Sequence, residues 1–199
     1  MKKILIAAAV GMLAVGSVAA QESPWLVRAR AVHLNMANVD STGLGLTVND
    51  KTIPEVDISY FFSKNIAAEL ILTVPQKQHV YSNGADLGTF KHLPPTLTVQ
   101  YHFTDFTGYK PYVGAGLNYT QITAEKISAG GGTNNVTLSD KSVGGALQAG
   151  VDIPLTKQVS LNIDVKKVYL KTHVYVGGAD GGTLKLDPVL FGVGVGYRF

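Results

Sequence analysis

The sequence predicts an all-β protein, an eight-stranded antiparallel up-and-down transmembrane β-barrel, and three observations carry that expectation. Apolar and polar residues alternate with period two in segment after segment, the connections alternate long and short, and aromatic residues gather beside the short ones. Alternation marks a strand with one apolar and one polar face. Tight turns on one side, long loops on the other and aromatic girdles are the signature of an outer-membrane barrel.

The chain opens with Lys2 and Lys3, an apolar run from Ile4 to Ala14 and the small residues Val18-Ala19-Ala20. This pattern predicts a cleavable signal peptide over residues 1–20, with the barrel domain over 21–199. Loss of Lys2 and Lys3 brings the formal +3 of the 199 residues down to about +1, so charge gives no reason to expect a nucleic-acid partner. The absence of cysteine excludes disulfides and thiolate chemistry.

Eight alternating segments follow. The clearest are Trp25 to Ala31, Pro54 to Phe62, Ile66 to Val74 and Thr96 to Phe103; the pattern returns near Pro111–Thr123, Ser142–Ile153, Val159–Leu170 and Leu186–Phe199. Long connections rich in Gly, Asn, Asp or Thr run from Met36 to Ile53, Pro75 to Leu93, Thr123 to Ser142 and Val174 to Lys185. Short ones lie at 62–65, 104–109 and 154–157. With both termini periplasmic, every long loop falls outside. Trp25, Tyr60, Phe61, Phe62, Tyr101, Phe103, Phe106, Tyr109, Tyr112, Tyr197 and Phe199 all map beside the short-turn end, where a soluble sandwich has no reason to collect them. Gly114, Gly116, Gly192, Gly194 and Gly196 supply small residues where a narrow lumen must accept bulky side chains opposite.

Trp25-Leu26-Val27-Arg28-Ala29-Arg30, Leu93-Pro94-Pro95 through Phe103, Lys110 to Thr120 and the ending Leu186-Asp187-Pro188 with Gly192 to Phe199 resemble the OmpW family over essentially the whole mature chain. The resemblance implies an eight-stranded barrel in the Gram-negative outer membrane, with a narrow hydrophobic lumen that passes small apolar molecules inward, as in AlkL-like members. It also implies surface roles: stress response, or loops acting as a phage, bacteriocin or host-contact receptor. The expected partners are outer-membrane lipid and lipopolysaccharide, small hydrophobic molecules, and the barrel-assembly machinery through the terminal Phe199. No cofactor or metal is expected.

Inward-facing positions divide by height. Arg28, Arg30, Asp57, Glu69, Asp164, Lys166 and Arg198 are expected low, as a charged plug whose members pair. Val32, Leu34, Met36, Ile71, Val168, Leu170 and Leu190 are expected above it, either as a ligand-binding lumen or as a dry packed core. Lys167 and Lys171 interrupt the lipid face of the seventh strand and predict a bulge or a strand continuing above the membrane. Pro54, Pro75, Pro94 and Pro95 remove ladder donors from neighbouring strands two, three and four, and so mark a candidate lateral opening. The alternative is that they end strands. No catalytic residues are assigned: His33, His79, His92, His102 and His173 lack metal-ligand spacing, no spacing joins His173 to a carboxylate, and Asp180 reads as a loop tip.

Overall fold

A computed structural model describes residues 23–128 and 136–199; the signal-peptide segment and the Gly130-Gly131-Gly132 run lie outside the described residues. In chain order the strands are β1 (Trp25–Asn35), β2 (Val39–Asp40), β3 (Leu46–Val48), β4 (Lys51–Phe61), β5 (Ile66–Thr73), β6 (Gln76–Ser82), β7 (Ala85–Leu93) and β8 (Thr96–His102). They continue as β9 (Lys110–Ile127), β10 (Val136–Leu138), β11 (Lys141–Pro154), β12 (Val159–Val168), β13 (Lys171–Val176), β14 (Ala179–Lys185) and β15 (Val189–Arg198).

Eight of these close a barrel. Antiparallel pairing runs β15–β1–β4–β5–β8–β9–β11–β12 and returns to β15, which closes the sheet. Outward positions carry Val56, Ile58, Leu70, Leu72, Leu97, Val99, Leu117, Leu147, Ile163, Phe191, Val193 and Val195 as a lipid-facing belt. Trp25 against Tyr60, Tyr101 against Phe103 and Tyr197 against Phe199 form edge-to-face pairs at its short-turn rim, with centroids 4.8–5.1 Å apart. Phe61 and Tyr112 differ from the rest of the expected aromatic set: both are buried, because their parity along β4 and β9 turns them into the lumen.

The long connections are not irregular loops. They hold β2, β3, β6, β7, β10, β13 and β14, which extend the wall outward as the β3–β6–β7 strands on β9 and a second sheet, β10–β13–β14–β2. Their inward residues Leu46, Val80, Phe90, Leu138, Val174 and Leu184 prolong the apolar column. The seventh barrel strand ends at Val168 and Lys171 begins β13 in the second sheet, so Lys171 belongs to a strand continuing above the barrel, while Lys167 is the last outward residue of the barrel strand and donates to the Asp187 carbonyl.

The two halves repeat. His79-Val80-Tyr81 with Gly84-Ala85-Asp86 and Gly88-Thr89 recurs as His173-Val174-Tyr175 with Gly178-Ala179-Asp180 and Gly182-Thr183. Both stretches fold as hairpins of the same type. Asn83-Gly84 (φ 48° and 86°) and Gly177-Gly178 (φ 60° and 84°) make two-residue turns with both residues left-handed, the hairpin geometry that suits strand twist. In both, the register shifts one rung later, and an aspartate accepts the amide of Gly88 or Gly182 at 2.8 and 2.9 Å. The periplasmic turns match as well: Ser63 Oγ accepts the Ile66 amide and Thr156 Oγ1 the Val159 amide. Strands three and four thus correspond to strands seven and eight across the barrel.

Candidate functional site

The lumen has two zones, set by parity along the strands. Low in the barrel, Arg28 and Arg30 project inward from β1 and meet carboxylates from four other strands. The Arg28 guanidinium donates to both oxygens of Asp152 at 3.0 and 2.6 Å, and to Asp57, Ser59 and Glu69 at 3.1–3.3 Å. Arg30 reaches Glu55 at 2.9 Å, Asp57 at 2.8 Å and Asp164 at 3.5 Å. Lys166 donates to both oxygens of Glu55 at 3.2 Å. Neutral groups complete the cluster: Tyr112 and Gln148 donate to Asp164, Thr98 donates to Glu69, and Asn162 donates to Asp152. Charges buried in this way are tolerable only when paired and hydrogen-bonded. All are buried and form one hydrogen-bonded network across the lumen.

Six expected plug residues therefore meet, and Arg198 takes a different place. Paired with Leu26, one inward step below Arg28, it lies beneath the cluster, its guanidinium 4.2 Å over the Phe61 ring and its Nε donating to the Ser23 carbonyl. There it lines an open periplasmic vestibule of about 1060 Å³ with Phe61, Lys64, His102 and Lys157. Glu55 and Asp152 are plug members that sequence reasoning missed. Glu55 shares the parity of Asp57, two residues on, and Asp152 shares that of Gln148, so alternation carried a signal for both. His102 is a structural histidine, bonded to Gln100 at 2.9 Å and stacked on Tyr112.

Above the plug, Val32, Leu34, Met36, Ile53, Val168, Leu170 and Leu190 are buried in one apolar cluster that continues into the outer strands. Ile71 is also buried, at the level where β5 leaves β8. The zone is packed. It keeps a cavity of about 30 Å³ bordered by Leu34, Met36, Thr73, Pro94, Leu170 and Leu190.

The prolines sit unequally. Pro54 lies within β4, opposite Ala31 of β1 and one residue beyond the last β4–β5 pair. Between Ile71–Thr96 and Gln76–His92, residues 72–75 face 93–95 with no ladder pairing, and this break holds Pro75, Pro94 and Pro95. Asn118 fastens the Pro94 and Pro95 carbonyls to β9, so the break in pairing faces β5 alone. The corresponding seam in the second half is sealed. There Val168 N donates to the Pro188 carbonyl at 3.1 Å, and Asp187 both accepts the Leu170 amide at 2.8 Å and donates its own to the Leu170 carbonyl. Leu93 stands where Asp187 does and offers no acceptor.

At the outer rim the hairpins bring together pairs the spacing did not announce: His79 with Asp86 at 2.9 Å and His173 with Asp180 at 3.6 Å, all exposed. The imidazole, followed by the Gly88 amide, holds the Asp86 carboxyl below its ordinary range. Asp180 is thus an ordered hairpin residue rather than a free loop tip. Among the described residues no serine hydroxyl bonds to either imidazole.

The OmpW family model matches residues 15–199. The chain belongs to the OmpW family. Outer membrane protein W of Escherichia coli (strain K12) is 33% identical over 214 residues, covering 100% of both chains. An uncharacterized outer-membrane protein, y4mB, of Sinorhizobium fredii (strain NBRC 101917 / NGR234) is 44% identical over 192 residues, covering 92% of this chain and 82% of that one. Dibenzothiophene metabolism operon protein DoxH of Pseudomonas sp. (strain C18) is 27% identical over 198 residues, 90% of each. Among solved structures, OprG of Pseudomonas aeruginosa superposes with a TM-score of 0.76 at 23% identity, over 89% of this chain and 97% of that one. This OmpW-family chain is an outer-membrane β-barrel.

Proposed function

We propose that the protein carries small hydrophobic molecules passively across the outer leaflet: they enter the apolar upper lumen and leave sideways into the bilayer. The observation that carries this reading is the unpaired wall between residues 72–75 and 93–95. It lies beside the apolar zone and above the charged plug. Thr73 Oγ1, buried at that break, also has no hydrogen-bond partner among the described residues. The DoxH relative is named for dibenzothiophene metabolism, which agrees with an apolar cargo. The reading assigns no catalysis to the barrel, and it gives Phe199, exposed at the chain's end, the task of engaging the assembly machinery.

The test is uptake of a small aromatic or alkane probe by cells or liposomes carrying the wild type or the Leu34→Asp plus Leu170→Asp double variant, with insertion verified by heat-modifiable gel mobility. Faster uptake with the wild type, abolished in an inserted double variant, supports the conduit. Uptake no faster than through an empty membrane, for every apolar probe, overturns it and turns attention to the outer strands as a receptor surface.

A further inference from the structure

The outward faces change character where the apolar belt ends. In the first outer hairpin Lys77 stands directly opposite Lys91, and in the second Lys171 stands directly opposite Lys185. All four are exposed, and they occupy corresponding places in the repeat. Like charges directly opposed across an antiparallel pair destabilise it, yet the arrangement occurs twice. Among the described residues none of the four makes an ion pair, and the nearby Asp86 and Asp180 pair with His79 and His173 instead. A third ammonium accompanies each pair: Lys51 donates to the Lys77 carbonyl at 2.9 Å, and Lys167 donates to the Asp187 carbonyl.

Position narrows what would neutralise these charges. Below the first pair the outward positions carry Leu72 and Val74; below the second they carry Tyr169, Lys167 and Val165 on one strand, and Asp187, Val189 and Phe191 on the other, with Lys167 and the Asp187 carboxylate tied to backbone groups. Each site therefore couples acyl-chain contact below to two cations above. Opposed side chains start about 4.5–5.5 Å apart at Cβ, close enough for two flexible ammonium groups to hold one phosphate. We infer that Lys77–Lys91 and Lys171–Lys185 are two equivalent binding sites for the phosphorylated glucosamine headgroup of outer-leaflet lipopolysaccharide. The sideways aim of the lysines, at the edge of the belt rather than at the hairpin tips, favours a lipid-borne phosphate over a free one. The inference is independent of transport.

Native mass spectrometry of the purified barrel in detergent, with diphosphorylated lipid A as the probe, counts the sites. The wild type should hold two lipid A molecules, the Lys77→Ala/Lys91→Ala and Lys171→Ala/Lys185→Ala variants one each, and the quadruple variant none. Affinity per site should drop at least tenfold with dephosphorylated lipid A, and Lys→Arg replacements should retain both sites. Heat-modifiable mobility checks the fold of each variant, and the arginine set carries the test if an alanine set fails to insert. Two lipid A molecules on the folded quadruple variant, loss of binding in the arginine set, or full displacement by millimolar inorganic phosphate would each overturn the assignment, the last by making these free-phosphate sites.

Discussion

Arg28 on β1 grips Asp152 on β11 through two parallel hydrogen bonds of 3.0 and 2.6 Å, across 124 residues of sequence. This bidentate pair ties the first strand to the sixth strand of the barrel and anchors the rest of the plug. Asp152→Ala leaves a buried guanidinium short of a partner, though Asp57 and Glu69 remain in reach. The expected loss is about 3 kcal/mol, read as a lower urea midpoint for the heat-modifiable band. An unchanged midpoint would show that Asp152 is dispensable to the network.

The two seams supply a graft. Leu93→Asp places a carboxylate where Asp187 seals the second half, and uptake of an apolar probe should fall severalfold while stability rises by about 1 kcal/mol. Asp187→Leu removes the seal at the Leu170 amide and should cost a similar amount. Restoring donors with Pro75→Ala and Pro95→Ala should also slow uptake; if both leave it unchanged, the prolines have no part in the opening.

The barrel's shape and most of its lumen were legible in the sequence because period two states directly which face a residue takes. Arg28, Arg30, Glu69 and Lys166 needed only parity, as did Val32, Leu34 and Leu170. What alternation does not encode is lateral partnership across a closed sheet. Asp152 lies next to a short turn and gave no hint of reaching Arg28, and Arg198 has lumenal parity but pairs with Leu26, one inward step below Arg28. The outer strands were hidden for another reason: their Gly- and Asn-rich turns look like loop composition. The recurrence of His79-Val80-Tyr81 at His173-Val174-Tyr175 was the available signal that they fold as hairpins.

Acid should act on the first outer hairpin. A carboxyl held below its ordinary pKa stabilises the fold fully above that ordinary value, about 3.9 for aspartate, and loses the contribution as pH falls through the lowered one. For Asp86 the cause is first the His79 hydrogen bond, then the Gly88 amide. A carboxyl-detected NMR titration should find the Asp86 midpoint below 3.9 and moved upward by His79→Ala. A midpoint insensitive to that substitution would rule out the imidazole as the cause.

Close strand approach makes a further demand. A methyl group added at Gly116 would sit 1.9 Å from the Leu97 carbonyl oxygen and 2.6 Å from the Thr98 Cα, both backbone atoms that cannot step aside. Gly116→Ala should destabilise the barrel by about 2 kcal/mol, measured by the same urea series, and a neutral result would mean that β8 and β9 can part locally.

The plug also bears on how the barrel finds its pairing. A slip of one residue by β1 against β4 and β15 would turn both arginines out among acyl chains, at about 2–4 kcal/mol each near the bilayer midplane, and strand their carboxylates inside. The charged interior thus acts as a registration lock: mispaired sheets are disfavoured as the barrel closes.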